Sequence, residues 1–237
     1  MAILKILFLL TGAYCTSICL TPPNPPAKST ERRRFTTKFT LGLKDVLPII
    51  TVFYKYLTLG VNIVEVIVIL ASALSTLRPD LSSLALRHST VGEGIGITPT
   101  YLVGFAILVG GTILRVSCYR ALGELFTFEL TLRPNHKLIT SGPYSFARHP
   151  SYTAGFLFMN GLLISQLGPG SWWHTSGLWS MVFGRLFLAA WLGTVTVVEG
   201  MLIWRTGLED EVLRREFGQE WDEWADRTRY RLVPGLY

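Results

Sequence analysis

Long apolar stretches with very few charged residues are the feature that most limits how this chain folds. A helix needs about 20 apolar residues to cross a membrane, because the hydrocarbon core is roughly 30 Å thick. Four apolar runs approach or exceed that length, at 2–20, 57–77, 98–117 and 179–204. Only 16% of the residues are charged, whereas about a quarter of those in an average soluble domain are. The sequence therefore predicts an all-α, multi-pass integral membrane helical bundle.

A fifth apolar run, at 152–167, is shorter and less apolar than the others. It carries Asn160, Ser165 and Gln166 and stops at the Gly-Pro-Gly sequence 168–170. We interpret it as a tilted or incomplete crossing inside the bundle, which gives about five transmembrane helices. The charged stretch Leu41 to Tyr56 is expected to lie along the membrane interface before the second crossing.

Lysine and arginine residues are unevenly divided between the two sides that five crossings create. Sixteen of them lie in the loops 21–44 and 118–151 and in the tail 205–237. Two lie in the loops 78–97 and 168–178 on the opposite side. By the positive-inside rule, the N-terminus is lumenal and the tail is cytosolic.

The first apolar run also has features of a cleaved signal peptide, since Lys5 precedes a short apolar core. Its removal would export the basic loop that contains Arg32, Arg33 and Arg34, or invert every later crossing. We therefore interpret the first run as a membrane helix.

Two classes of function find little support in the composition. The net charge of +6 is spread over three loops with no soluble domain to present it, so nucleic acid is not an expected partner. The four histidines show no metal-ligand spacing, so no metal is expected. The three cysteines, an odd number, imply no disulfide framework.

The tail after Arg205 is charged but carries apolar residues at spacings of three to five. This pattern predicts an amphipathic C-terminal helix, broken near Gly218 and docked on the cytosolic face. The apolar positions are Leu208, Val212, Phe217, Trp221 and Trp224.

Residues 136–152 form the stretch whose side chains are best suited to binding a ligand or to catalysis. Gly142 and Pro143 mark a turn, and Pro150 suits the first position of a helix. A helix that begins there directs unpaired backbone N–H groups, with His149 and Tyr152 beside them, toward a site on the membrane surface. A polar connector whose side chains contact lipid headgroups remains the alternative.

Several charged residues near the membrane have more than one possible role or state. Arg205 and Glu209 share a helix face, either as a simple ion pair or as a binding site for ribose hydroxyls or an amino group. Arg115, near the cytosolic end of the third run, either snorkels toward headgroups or binds an anionic substrate group. Glu65 and Glu199 lie within apolar runs and should be protonated, paired or facing a wet cavity.

The order of motifs along the second half of the chain resembles the isoprenylcysteine carboxyl methyltransferase family. The likeness covers roughly residues 100–237, and membrane phospholipid methyltransferases share much of it. Upstream of Pro99 the likeness is one of hydropathy only. The motifs are LITSGPYSFARHPSY, then Arg205-x-x-x-Glu209-Asp210-x-x-Leu213, then EFGQEW at 216–221, and Val233-Pro234-Gly235.

This resemblance implies S-adenosylmethionine as the cofactor, held in a cytosolic pocket. Arg115 and Arg205 match family arginines associated with the substrate and its carboxylate. Two positions depart from the family pattern: Glu129, a cofactor position, replaces a common Gln, and Asp210 shortens the second acid of the usual Glu pair. The implied cofactor-binding residues are Glu129, His136, Lys137, Leu138, Ile139, Tyr144, His149, Pro150, Ser151, Tyr152 and Glu209.

The resemblance also implies an activity, a location and a division of the chain. The expected reaction is methylation of the C-terminal carboxylate of farnesylated or geranylgeranylated cysteine, with prenylated protein C-termini and membrane lipid as partners. The expected location is the endoplasmic reticulum membrane, with the active site facing the cytosol. Residues 1–97 would form N-terminal transmembrane segments with a basic linker, and residues 98–237 the methyltransferase core.

Three other functions remain compatible with the sequence. A membrane phospholipid or small-amine methyltransferase would use the same cofactor pocket. A sterol-type reductase with an Arg-His-Pro motif would bind NADPH instead. A non-catalytic membrane scaffold would bind neither cofactor.

Overall fold

The computed structural model describes residues 2–26, 40–77, 94–128 and 136–236, with side chains in the second helix from residue 49 to residue 75. Within these ranges the chain forms helices and turns and no strand, which confirms the all-α prediction. The α-helices are α1 (Ala2–Cys19), α2 (Thr40–Leu77), α3 (Pro99–Leu122), α4 (Pro150–Leu167), α5 (Trp172–Thr175), α6 (Val182–Phe217) and α7 (Gln219–Arg227).

Four helical segments in the described part of the chain are long and apolar enough to cross a membrane. Their outward faces carry large apolar side chains, and Leu7, Ile67 and Val197 are each more than half exposed. Lipid accommodates such faces because its tails are themselves apolar. The chain is therefore a multi-pass integral membrane protein. The segments are Ala2–Cys19, Ile49–Ser75, Pro99–Leu125 and Val182–Phe217.

The short fifth run forms α4, which packs antiparallel to α3 over its whole length. Ser151 at the start of α4 accepts a hydrogen bond from Arg115 late in α3, and Gly168 after α4 lies beside Thr100 at the start of α3. Nine of the 18 residues of α4 are buried, against five of 36 in α6. Because α4 faces protein more than lipid, it tolerates the polar side chains that weaken its apolar character.

Small residues set the close approach of α3 and α4. A Cβ atom added to Gly111 would lie 2.6 Å from the backbone nitrogen of Phe158. A Cβ atom on Gly161 would overlap the backbone of Leu108. Glycine at both contacts lets the two backbones pack directly, as is common between membrane helices.

The second crossing differs from the prediction. The stretch Leu41 to Tyr56 continues directly into the crossing, since α2 is one continuous helix, and the membrane-capable part begins at Ile49 and not at residue 57. Lys55 does not interrupt the crossing, since its Nζ donates a hydrogen bond to the Thr21 hydroxyl, 2.8 Å away in the linker after α1. A long lysine side chain can reach a polar partner in this way while its stem stays in apolar surroundings.

The break in the tail lies where the sequence predicted it. Gly218 has a φ of +54°, in the left-handed region that favours glycine, and it separates α6 from α7. Trp221 and Trp224 of α7 are buried against Cys118 and Tyr144. The C-terminal helix is therefore amphipathic, as predicted, and its buried face packs beside the end of α3.

At the other end of the bundle, the buried Glu65 is paired, which confirms one of its predicted states. Its Oε1 lies 2.5 Å from Nζ of Lys5, and both side chains are almost fully buried. The same Nζ donates to the carbonyl of Gly170 at 2.7 Å and lies over the Tyr101 ring. This contact joins α1, α2, α3 and the loop after α4.

Candidate functional site

A cavity of about 480 Å³ lies where α3 ends, α4 begins and the second half of α6 passes both. Its charged end includes Ser151 and Arg205. Its walls continue to Phe158, seven residues after Ser151 on α4, and to Val198, seven residues before Arg205 on α6. Seven residues of helix span about 10 Å, so the cavity extends from a charged end into an apolar region between the two membrane helices.

Glu209 is the centre of the charged end. Its Oε1 accepts hydrogen bonds from Arg205 Nε at 2.9 Å and from the Tyr152 hydroxyl at 2.6 Å. Its Oε2 lies 3.3 Å from Nδ1 of His149. The predicted pairing of Arg205 with Glu209 is confirmed, and three side chains are held in fixed positions around one carboxylate.

His149 lies between two carboxylates and is buried. Besides Glu209 at Nδ1, its Nε2 lies 2.9 Å from Oδ1 of Asp210. Burial by itself lowers the pKa of His149, but its hydrogen bonds to Asp210 and Glu209 and their negative charges outweigh burial and raise that pKa. Both nitrogens of the ring act as donors when the imidazole is protonated.

The side chain of Arg115 is held by hydrogen bonds and has no acidic partner among the described residues. Its Nη1 donates to the carbonyl of Ser151 at 2.7 Å and to that residue's hydroxyl, and its Nε donates to Tyr119 at 3.0 Å. The rings of Phe126 and Phe128 lie 5.3 and 5.2 Å from its guanidinium. A fixed cation at a cavity wall is a suitable partner for an anionic ligand group.

The segment 123–128 after α3 forms another wall, and sequence reasoning missed its supports. Arg205 Nη1 donates to the carbonyl of Phe128 at 2.7 Å. Asn24, in the proline-rich linker after α1, donates from Nδ2 to the carbonyls of Gly123 at 2.8 Å and Phe126 at 3.0 Å. The linker therefore fixes the segment that contacts both arginines. No motif marks Asn24 for this role.

The remaining wall carries His136 and Tyr144. Burial lowers the pKa of His136, which favours its neutral form. Its Nδ1 is buried and has no hydrogen-bond partner among the described residues. Since buried polar atoms are usually hydrogen-bonded, a ligand in the cavity is a candidate partner for this atom.

The structure brings most of the predicted site residues to this one cavity. Pro150 is buried as the first residue of α4 and does not line the cavity. Glu129 lies outside the described residues. The described ranges contain no group of three or more His, Cys, Asp or Glu side chains placed to hold a metal ion. The predicted residues that line the cavity are Arg115, His136, Lys137, Leu138, Ile139, Tyr144, His149, Ser151, Tyr152, Arg205 and Glu209.

Comparison with known proteins relates this architecture to one family. Residues 102–198 match the model of the isoprenylcysteine carboxyl methyltransferase family. The chain is 27% identical over 127 residues to protein-S-isoprenylcysteine O-methyltransferase B of Arabidopsis thaliana, which covers 53% of this chain and 55% of the relative. It is 26% identical over 132 residues to a probable protein-S-isoprenylcysteine O-methyltransferase of Oryza sativa subsp. indica, which covers 55% and 59%.

The chain thus spans a little over half the length of the curated relatives it matches. The matched segment contains most of α3, all of α4 and the first half of α6, and therefore Arg115, His149 and about half of the residues that line the cavity. The match over residues 102–198 and the two plant relatives support the family predicted from the motifs.

Proposed function

We propose that this protein methylates the C-terminal carboxylate of a prenylated cysteine, with S-adenosylmethionine as the methyl donor. The observation that carries the proposal is one cavity with a charged end at Arg115, Arg205 and Glu209 and an apolar end at Phe158 and Val198. A prenylcysteine has the same two parts, a carboxylate attached to a long hydrocarbon chain. The names of the plant relatives refer to this type of substrate.

The residues present fit S-adenosylmethionine. The cavity volume lies in the range of about 300 to 1,000 Å³ that is usual for small-molecule sites. Nδ1 of His136 has no hydrogen-bond partner within the described ranges, and Lys137, Leu138 and Ile139 continue the same wall. His149, Tyr152 and Glu209 bind one another and so form a fixed polar surface before any ligand arrives. When bound, the cofactor supplies a methyl group on a positively charged sulfur.

In this proposal Arg115 and Arg205 bind and orient the substrate carboxylate. Ser151 and Tyr119 hold the guanidinium of Arg115 in place, while Glu209 and the Phe128 carbonyl hold that of Arg205. A carboxylate is already nucleophilic, so the contribution of the chain is alignment and the exclusion of water. The apolar walls beyond the two arginines serve the second purpose.

The finer expectations follow from the same proposal. Prenylated protein C-termini present their carboxylate at the charged end while the prenyl chain lies in the apolar end, which it reaches from the lipid. The charged end faces the cytosol, as the division of sixteen basic residues against two predicts, and the membrane is that of the endoplasmic reticulum. Residues 98–237 form the catalytic core, although residues 1–97 add Asn24 and Val52 to the cavity walls.

The decisive experiment is methyl transfer from labelled S-adenosylmethionine to N-acetyl-farnesylcysteine in membranes that contain the full chain. We expect base-labile label in the prenylcysteine product and none when its carboxylate is already a methyl ester. Membranes without the protein are the control. Label in phospholipid headgroups instead would select a phospholipid methyltransferase. The absence of both products, with no S-adenosylhomocysteine binding, would reject the proposal.

A further inference from the structure

The C-terminal segment after α7, residues 228–236, crosses the start of α4 and touches the candidate site. The backbone N–H of His149 donates to the carbonyl of Arg231 at 2.7 Å. The Thr153 hydroxyl donates to the carbonyl of Leu232, also at 2.7 Å, and Leu232 is buried. This segment lies after residue 198, where the match to the family model ends.

Side chains make a second connection between the same segment and His149. Asp210 is 7% exposed, and its Oδ1 lies 2.9 Å from Nε2 of His149. Its Oδ2 lies 3.0 Å from Nε of Arg231 and 3.5 Å from Nη2 of Arg148. The contacts therefore run in order from Arg231 to Asp210 to the imidazole ring.

We infer that Asp210 and Arg231 are positioning residues that hold His149 in its site orientation, so that the C-terminal segment completes the site. The consequence of this inference, a properly formed cofactor surface, rests on the proposed function. The contacts between Arg231, Asp210 and His149 do not depend on that function. A buried carboxylate is costly unless its lone pairs have partners. The charge of Arg231, in an ion pair 3.0 Å from Oδ2, offsets part of that cost and keeps Asp210 turned toward the ring.

The charges that face His149 come from several elements. Glu209 and Asp210 of α6 contact its two nitrogens, and the Tyr152 ring of α4 stacks on it at 5.8 Å between centroids. Arg148 and Arg231 lie beyond Asp210 on its other oxygen. The acidic contacts raise the pKa of His149. A positive charge close to the ring acts in the opposite direction, because it repels the protonated imidazole.

This arrangement makes the sign of one measurement diagnostic. If Arg231 were only a nearby cation, its removal would raise the pKa of His149, because a repelling charge is lost. If Arg231 positions Asp210, its removal lets the carboxylate turn away from the ring and lowers that pKa. The two roles predict opposite shifts.

The experiment is an NMR titration of isotope-labelled histidine in the full chain in detergent micelles, with the signal of His149 assigned through His149→Gln. We expect the titration midpoint of His149 to fall in Asp210→Asn and in Arg231→Leu. Arg229→Leu, two residues away and exposed, is the matched control and should leave the midpoint unchanged. A raised or unchanged midpoint in Arg231→Leu overturns the inference, and Arg231→Gln replaces that variant if it does not fold.

A binding measurement connects this result to the proposed function and separates their failures. S-adenosylhomocysteine affinity should fall about fivefold or more in Asp210→Asn and Arg231→Leu, the loss expected for about 1 kcal/mol, and stay unchanged in Arg229→Leu. If the unaltered protein bound no S-adenosylhomocysteine, the proposed function would fail while the titration still decided the positioning role. Lowered midpoints with wild-type affinity would remove the link between the two.

Discussion

The two ends of the bundle both bury charge, but they do so differently. At one end Lys5 and Glu65 neutralise each other, and Lys5 also binds the carbonyl of Gly170. Neither side chain lines the large cavity. At the other end His149 and Glu209 belong to a network of several cations and anions on the cavity wall.

The difference shows that buried charge alone does not identify a functional site. Lys5 and Glu65 contact each other, and Lys5 also contacts Gly170 and the Tyr101 ring, so the pair faces protein groups and not the large cavity. The network around Glu209 borders open volume, and another wall of the same cavity carries Nδ1 of His136, which has no hydrogen-bond partner in the described part of the chain. We therefore expect damage to the first end to change stability, and damage to the second to change binding and turnover.

The largest expected effect comes from Lys5→Met, which leaves Glu65 buried without a cation. Breaking a buried ion pair on one side typically costs about 3 to 5 kcal/mol. We expect a lower midpoint of thermal unfolding in micelles and unchanged S-adenosylhomocysteine affinity in the protein that remains folded. The double variant Lys5→Met, Glu65→Leu should recover most of the stability. Lost affinity in folded Lys5→Met would break the contrast between the two ends.

The next effect is on turnover at Arg115. Arg115→Lys keeps the charge but loses the planar fork that Ser151 and Tyr119 hold. We expect turnover to fall on the order of 10²-fold, as for misplacement of a reacting group by about an ångström. S-adenosylhomocysteine affinity and thermal stability should stay close to those of the unaltered protein. Near-normal methylation by the Lys variant would mean that Arg115 only anchors the helix end.

A somewhat smaller effect is expected on cofactor affinity. His149→Ala and Glu209→Ala each remove contacts that fix the polar surface, at a typical cost of about 1 to 3 kcal/mol, or roughly 5- to 150-fold in affinity. Calorimetric titration with S-adenosylhomocysteine measures this loss. Glu211→Ala is the control, because Glu211 is exposed on the same helix and does not line the cavity. Unchanged affinity in both site variants would refute the proposed pocket.

The smallest effect is the pH dependence that His149 gives to stability. Because its pKa is raised in the folded protein, its stabilising contribution is complete below the usual histidine value of about 6.5 and is lost as pH rises through the raised value. The free energy of unfolding should therefore decline over that window. His149→Gln should remove the decline, whereas Lys5→Met should retain it at lower overall stability. Thermal unfolding measured across this pH window tests both.

Local patterns were sufficient for much of the fold. Pro150 predicted the start of α4 because its ring fixes φ at a helical value, and Gly218 predicted the end of α6 because glycine tolerates the positive φ found there. The four-residue spacing of Arg205 and Glu209 predicted their ion pair, since such residues share a helix face. The sequence placed the start of the second crossing at residue 57, whereas the membrane-capable part of α2 begins at Ile49. Lys55, within that part, donates to Thr21, a contact 34 residues away that no local pattern indicates.

By itself, the sequence determined that this protein is a helical membrane bundle with a polar site beside the start of α4. Apolar run length, helix boundary residues and the family motifs depend on neighbouring residues, so they can be read along the chain. Only the tertiary structure decided that Asn24 supports the wall behind both arginines and that Arg231 reaches Asp210. These contacts join segments distant in sequence, and which of them form depends on how the helices pack.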